Sequence, residues 1–403
     1  MQCYADFGFF PRKDDRYWES PFTSYTYDKY AYEEACRESV LDKRTYTLCD
    51  SLTATDASYL VEPVDGLWLL AIDGGVYLPK EMKEGKWTYQ GSSVGYNLVL
   101  KHKPFLLPWV RKVVEEARKR HKTLVAFSHY PLVDFNDGVS ESVRRMWGDR
   151  CFDLHRVPET DVGEAFLQAG LRLHFAGHMH VNDTGIWEGK DGKHLYNIQV
   201  PSIATYVPAY KILTIERDEV FRVETVILDT VPGFDSLFPL YRAECQSDSL
   251  RGHSPVWNKE ILSARTYGEF CDYQFRDLVR LRFIPRDFPE SWRACLDFTG
   301  AQMLKAVSGK DKSEDTDWTD WCMKDLVLDL YRLRYAERLA LKDIPETRLA
   351  AYRYLFDRAR ISPLRSVEVE IVNGLGTLFL AFLNGEPCQN FVIYLGKDTI
   401  TGD

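Results

Sequence analysis

Residues 171–180, LRLHFAGHMH, form an apolar strand pattern that ends in a glycine and two closely spaced histidines. Gly177 allows the backbone to leave strand geometry, so that His178 and His180 can both turn an imidazole nitrogen toward one cleft. Imidazole is the commonest metal-binding side chain in proteins. The stretch therefore predicts a metal-binding loop at the end of a strand.

A second stretch of the same kind lies upstream. Residues 123–127, TLVAF, read as an apolar strand, and 128–132, SHYPL, place His129 at the carboxyl end of that strand. Ligand sites in layered α/β sheets gather at the carboxyl ends of the strands. We therefore expect His129, His178 and His180 to lie at one rim of a sheet and to form a metal site.

The two stretches together resemble the last two motifs of the calcineurin-like metallophosphoesterases. That family carries, in order, D-x-H, G-D-x-x, G-N-H-D/E, a lone H, and G-H-x-H. The resemblance covers roughly residues 55–230 and implies that His129 and His178 bind one metal and His180 binds another. It also implies two divalent ions in the intact site (Mn, Fe, Zn or Ni) and hydrolysis of a small-molecule phosphomonoester or phosphodiester.

The first three family motifs do not occur before His129. They would supply the aspartate and asparagine ligands and the general-acid histidine, so no catalytic residue is assigned. An N-terminally truncated phosphoesterase accounts for this pattern better than a complete chain does. The alternatives are a catalytically degenerate member that acts as a binding or scaffold protein, and a single metal on the three imidazoles with carboxylates from the 134–161 loop.

Three further residues are candidates for supporting the ligands or the substrate. Asp73 follows the apolar strand 66–72, while Asn182 and Asp183 directly follow the GHMH motif. Asn182 and Asp183 could hydrogen-bond a ligating imidazole or equally belong to an ordinary turn, whereas for Asp73 a plain Asp-Gly turn is favoured over a place facing the site. A cationic side chain from the loop 134–159 could hold the substrate phosphate.

The composition is that of a globular protein, with 45% hydrophobic and 28% charged residues. A formal net charge of −9 gives no general attraction to nucleic acid. The longest uncharged run, 371–383, is too short to span a bilayer, so no transmembrane segment is expected. Nine scattered cysteines without a C-x-x-C pair favour single thiols and a reducing compartment such as the cytoplasm, although a signal peptide could lie in a missing N-terminal part.

The predicted fold class is α/β. Residues 1–234 are expected to form an incomplete metallophosphoesterase β-sandwich flanked by helices, including an amphipathic helix over 105–121. Residues 235–403 are expected to form a mainly helical accessory domain with terminal strands, the strand-like composition running from 366 to 394. Residues 1–25 read as irregular surface.

Overall fold

The structure, a computed structural model, describes residues 8–49, 52–89, 95–217, 219–252, 257–309, 318 and 320–402. The chain is mixed α/β, with 44% helical and 21% strand residues. The strands are β1 (Tyr17–Glu19), β2 (Thr45–Cys49), β3 (Leu52–Thr55), β4 (Tyr59–Val64), β5 (Leu67–Ala71), β6 (Pro79–Lys83), β7 (Lys86–Tyr89), β8 (Thr123–Ser128), β9 (Leu173–Ala176), β10 (Thr184–Glu188), β11 (His194–Gln199), β12 (Ala209–Arg217), β13 (Val220–Ile227), β14 (Phe391–Tyr394) and β15 (Thr399–Gly402). The α-helices are α1 (Tyr32–Glu38), α2 (Val99–His102), α3 (Leu106–Lys119), α4 (Ser140–Trp147), α5 (Thr160–Gln168), α6 (Phe238–Leu250), α7 (Tyr267–Leu278), α8 (Ile284–Asp287), α9 (Glu290–Arg293), α10 (Gly300–Ser308), α11 (Met323–Ala336), α12 (Glu346–Arg360) and α13 (Val367–Leu383).

The central sheet has seven strands in the order β1-β4-β5-β8-β9-β11-β10. Strands β5, β8, β9 and β11 run parallel to one another, whereas β1, β4 and β10 pair antiparallel with their neighbours. The continuous apolar runs predicted for β5 and β8 arise because the middle of this sheet is covered on both faces. The carboxyl ends of the four parallel strands therefore meet at one rim.

A second sheet, in the order β12-β13-β14-β15, packs face to face against the first. The apolar cluster between the sheets contains residues of both, including Val125 and Leu173 from the first and Phe221 and Phe391 from the second. Helix α3 covers the opposite face of the central sheet with the predicted buried stripe. The C-terminal strands complete the second sheet, because β14 pairs with β13 and β15 pairs with β14.

Helices α7 to α13 form a separate layer with its own apolar core, which also takes in the loop after β8. Arg334 of α11 links the helical layer to the segment that follows β8. Its buried guanidinium donates to Asn136 Oδ1 at 3.2 Å and to the Phe152 carbonyl at 2.7 Å. No helix in the described ranges is both long and apolar enough to cross a bilayer. The helical layer therefore rests on the same rim that carries the predicted ligands.

The strand-like pattern over 366–394 was wrong for most of its length, because 367–383 form helix α13. Valine, isoleucine and glycine favour a strand locally, but here the helix is buried on nearly every side. Its glycines are contact points rather than turns. A Cβ on Gly374 would lie 2.6 Å from Met146 Sδ, and one on Gly376 would lie 2.9 Å from the Phe356 ring.

The expectation of irregular surface over 1–25 was also wrong at 17–19. Tyr17, Trp18 and Glu19 form β1 and are all buried. They pair antiparallel with β4 at the edge of the central sheet. A three-residue strand is too short to show a period in the sequence. Residues 1–7 lie outside the described ranges.

Replacing Gly376 by alanine is expected to lower the free energy of unfolding by about 1–3 kcal/mol, because the new methyl group would overpack against Phe356. Alanine is otherwise the better helix former by about 1 kcal/mol, so propensity alone predicts stabilisation. Urea denaturation measures the change. Thr377→Ala, at the exposed next position of α13, is the control and should leave stability unchanged or slightly raised. A stabilised Gly376→Ala protein would contradict the close packing.

Candidate functional site

Two predicted ligands meet at the rim where the parallel strands β8 and β9 end. His129 follows β8 and His178 follows β9, and the Gly177 amide donates to the His129 carbonyl at 3.2 Å. His178 and His180 both have positive φ angles, 64° and 58°, in a region that few non-glycine residues adopt. The backbone thus leaves strand geometry after Gly177, as the sequence predicted.

The imidazoles of His129 and His178 face each other directly. His178 Nδ1 lies 2.7 Å from His129 Nε2, so one ring donates and the other accepts while both are neutral. The Tyr130 ring packs 4.5 Å from the His178 ring, centroid to centroid. His178 Nε2 is buried and has no hydrogen-bond partner among the described residues. The two nitrogens are close enough for one cation to bind both in place of the proton that they share.

The surroundings lower the pKa of all three histidines. Burial lowers the pKa of His178 to about 4, and the charge of Arg156 and the other two histidines act in the same direction. Burial also lowers the pKa of His129, helped by His180, and lowers that of His180, helped by Arg156. The neutral ring is the form that binds a metal ion, so a lowered pKa favours metal binding at these residues.

Arg156 is the cationic side chain of the 134–159 loop whose charge acts on His178 and His180. It lies close enough to lower the pKa values of His178 and His180, and it pairs with Asp153 at 3.4 Å. Its Nε atom is buried without a hydrogen-bond partner among the described residues. The sequence offered several arginines in this loop and could not select one, because the choice depends on the short 3-10 turn 151–156 that positions it.

The three imidazoles do not converge on a single point. Among the described residues, only Asp137, Asp183 and Glu337 form a set of three or more metal-binding side chains with ligand atoms within 4.8 Å of one another. A single metal on all three histidines is therefore not supported by the geometry. No described carboxylate oxygen lies within 4.8 Å of the ligand nitrogens of both His129 and His178. The pair could therefore supply the imidazole ligands of a metal centre, but no described carboxylate supplies an acidic ligand beside them.

Asp73 lies at the rim but is engaged in an ion pair. Its Oδ2 lies 2.9 Å from Lys103 Nζ and accepts from the Ala57 amide at 3.1 Å, while its Oδ1 accepts from the Gly75 amide. Lys103 also pairs with the buried Asp56 at 2.8 Å. No pattern in the sequence points to Lys103 as a buried residue.

Asn182 does not hydrogen-bond an imidazole. Its amide donates to Cys388 Sγ at 3.2 Å, and its Oδ1 accepts from Lys211 Nζ at 2.7 Å. Asp183 is buried and faces Asp137 and Glu337 instead of a histidine. His174 of β9 is fully buried and lies between Ser128 and Asn197, with its Nε2 3.0 Å from Ser128 Oγ and its Nδ1 2.8 Å from Asn197 Oδ1.

The described cysteines are all free thiols, which agrees with the single thiols expected from their spacing. A comparison of the chain with models of known protein families and with curated proteins found no match.

Proposed function

We propose that this chain is a metal-dependent phosphoesterase of the calcineurin-like type, in which His129 and His178 hold one divalent cation. The observation that carries the proposal is the 2.7 Å approach of His178 Nδ1 to His129 Nε2 at the carboxyl ends of two adjacent parallel strands. The stacked sheets behind this rim agree with the incomplete sandwich that the resemblance implies. His180, set apart from the pair, is proposed as a ligand of a second ion.

The chain's own residues would bind and orient the substrate. Arg156 places a positive charge next to the histidines, where a phosphate oxygen can accept a charge-assisted hydrogen bond from its guanidinium. Tyr130 packs against His178 and limits the ring's rotation. A bound divalent cation would supply Lewis acidity toward the phosphate ester.

A catalytically degenerate binding or scaffold protein is the second candidate. Two observations favour it: no described carboxylate converges on the histidine pair, and Asp73 is engaged by Lys103. A site built from imidazoles alone can bind a metal ion, yet it would lack the acidic ligands on which the family's chemistry depends.

The test is a measurement of bound Zn²⁺ and Mn²⁺ on the full chain, followed by hydrolysis of p-nitrophenyl phosphate and bis-p-nitrophenyl phosphate. We expect bound metal at the histidine pair and metal-dependent release of nitrophenol. His129→Ala and His178→Ala should abolish both, because each removes one of two converging nitrogens. Arg156→Met should retain the metal and raise KM for the phosphate ester.

His121→Ala is the matched control, since His121 is exposed at the opposite end of β8 and should keep full metal content. Metal retained by His129→Ala and His178→Ala would show that the cation lies elsewhere. Stoichiometric metal without hydrolysis of either ester would leave the binding role and exclude the phosphoesterase.

A further inference from the structure

Three carboxylates from distant parts of the chain meet beneath the helical layer. Asp183 begins the segment into β10, Asp137 lies in the loop after β8, and Glu337 follows the last residue of α11. One oxygen of each lies within 4.8 Å of the others. This acidic cluster is separate from the histidine pair, because none of its members groups with an imidazole in the same way.

The cluster lacks a direct counter-charge among the described residues. Asp183 is 3% exposed, and neither of its carboxylate oxygens accepts a hydrogen bond from a described residue. Glu337 Oε1 is likewise buried and accepts no hydrogen bond from a described residue. The nearest buried cation, Lys211, donates instead to Asn182 Oδ1, Thr225 Oγ1 and the Cys388 carbonyl. Buried carboxylates without donors are strongly unfavourable unless a proton or a cation neutralises them.

The cluster opens into a cavity of about 1010 Å³ between the rim of the central sheet and α13. Asp137, Asp183 and Thr184 line it, and the Thr184 hydroxyl is buried with no hydrogen-bond partner in the described ranges. Oxygen atoms without hydrogen-bond donors are the ligands that a hard cation takes, and the same cavity presents both carboxylate and hydroxyl oxygens of this kind. The cavity also provides an entry path for the ion.

We propose that Asp137, Asp183 and Glu337 bind a hard divalent cation of the Ca²⁺, Mg²⁺ or Mn²⁺ class at the edge of the cavity that Thr184 also lines. Its ligands come from the loop after β8, the residue before β10 and the residue after α11. Their shared coordination would stabilise the packing of the helical layer on the rim of the sheet. Oxygen ligands select these cations over the softer ions that imidazoles prefer. The role is structural and does not depend on hydrolysis at the histidines.

The test is calcium binding by isothermal titration calorimetry, with thermal unfolding measured in EDTA and in Ca²⁺. We expect one Ca²⁺ per chain and a higher Tm in Ca²⁺. Asp183→Asn and Glu337→Gln should each abolish binding at roughly 1 mM free Ca²⁺ and remove the Tm shift. In EDTA the same variants should melt at or above the wild-type temperature, because the amide relieves repulsion between like charges.

Glu141→Gln is the matched control, since Glu141 is an exposed carboxylate on the wall of the same cavity and should bind Ca²⁺ as the wild type does. His178→Ala should also keep the Ca²⁺ site, so failure at the histidines and failure here are distinguishable. Absence of binding with Ca²⁺, Mg²⁺ and Mn²⁺, or an unchanged Ca²⁺ response in both amide variants, would overturn the proposal and leave a cluster neutralised by protons.

Discussion

Lys103→Met is expected to lower the free energy of unfolding by about 3–5 kcal/mol, because it removes one partner of a buried ion pair. The Lys103 side chain and Asp56 are each 0% exposed, and the ammonium also reaches Asp73 Oδ2 at 2.9 Å and the Asp73 carbonyl at 2.8 Å. Burial alone would lower the pKa of Lys103, but the two carboxylates raise it, so the lysine stays charged. Methionine keeps the side chain's length and leaves Asp56 uncompensated. Urea denaturation measures the loss.

Lys193→Met is the control for Lys103→Met. Lys193 pairs with Asp191 at 2.7 Å, but both side chains are more than half exposed, so the loss should be at most about 1 kcal/mol. The double variant Lys103→Met with Asp56→Asn should recover part of the stability, because it removes the uncompensated charge. A loss below about 1 kcal/mol in Lys103→Met alone would show that water reaches the pair.

Trp68→Ala is the second large expected effect, a loss of about 3–5 kcal/mol. Trp68 is 1% exposed in the middle of β5, and its ring stacks on Tyr17 with centroids 5.9 Å apart. Its Nε1 donates to Glu62 Oε2 at 3.1 Å. Truncation would open a cavity between the central sheet and α3, which surrounding side chains can only partly fill. Denaturant unfolding gives the size of the effect.

Two further substitutions divide the Trp68 effect into its causes. Trp68→Phe keeps most of the ring and loses the donor to Glu62, which still accepts from Tyr27 and Lys122, so a loss of about 1 kcal/mol is expected. Trp87→Ala, at an exposed position of β7, should change stability by no more than about 0.5 kcal/mol. Equal losses at positions 68 and 87 would contradict the burial of Trp68.

The parts of the fold that the sequence predicted are those with a strong local pattern. The apolar runs of β5 and β8, the amphipathic α3 and the glycine that ends β9 each carry their information within a few residues. The same locality made His129 and His178 predictable as neighbours, because parallel strands bring their carboxyl ends together. Helix α13 was missed because its glycines and β-branched residues favour a strand until the packing around them is known.

The site was predictable only where it follows from strand order. Lys103 reaches Asp56 from 47 residues away, and no pattern in the sequence points to a buried lysine there. Glu337 joins Asp183 only because α11 ends over the rim, which depends on how the helical layer docks. Arg156 was one of several candidate arginines, and its position depends on the 3-10 turn 151–156 to which it belongs. Contacts of this kind depend on tertiary structure, which no short pattern encodes.

The pairing of β13 with β14 affects how the molecule can form during synthesis. These neighbouring strands are separated along the chain by the whole helical region, so β13 lacks one partner until the residues of β14 have been made. Pairings between such distant segments slow folding, because the loop must close before the contact is gained. The second sheet is therefore a late step on the ribosome, and a nascent chain halted after β13 would present an open strand edge to chaperones.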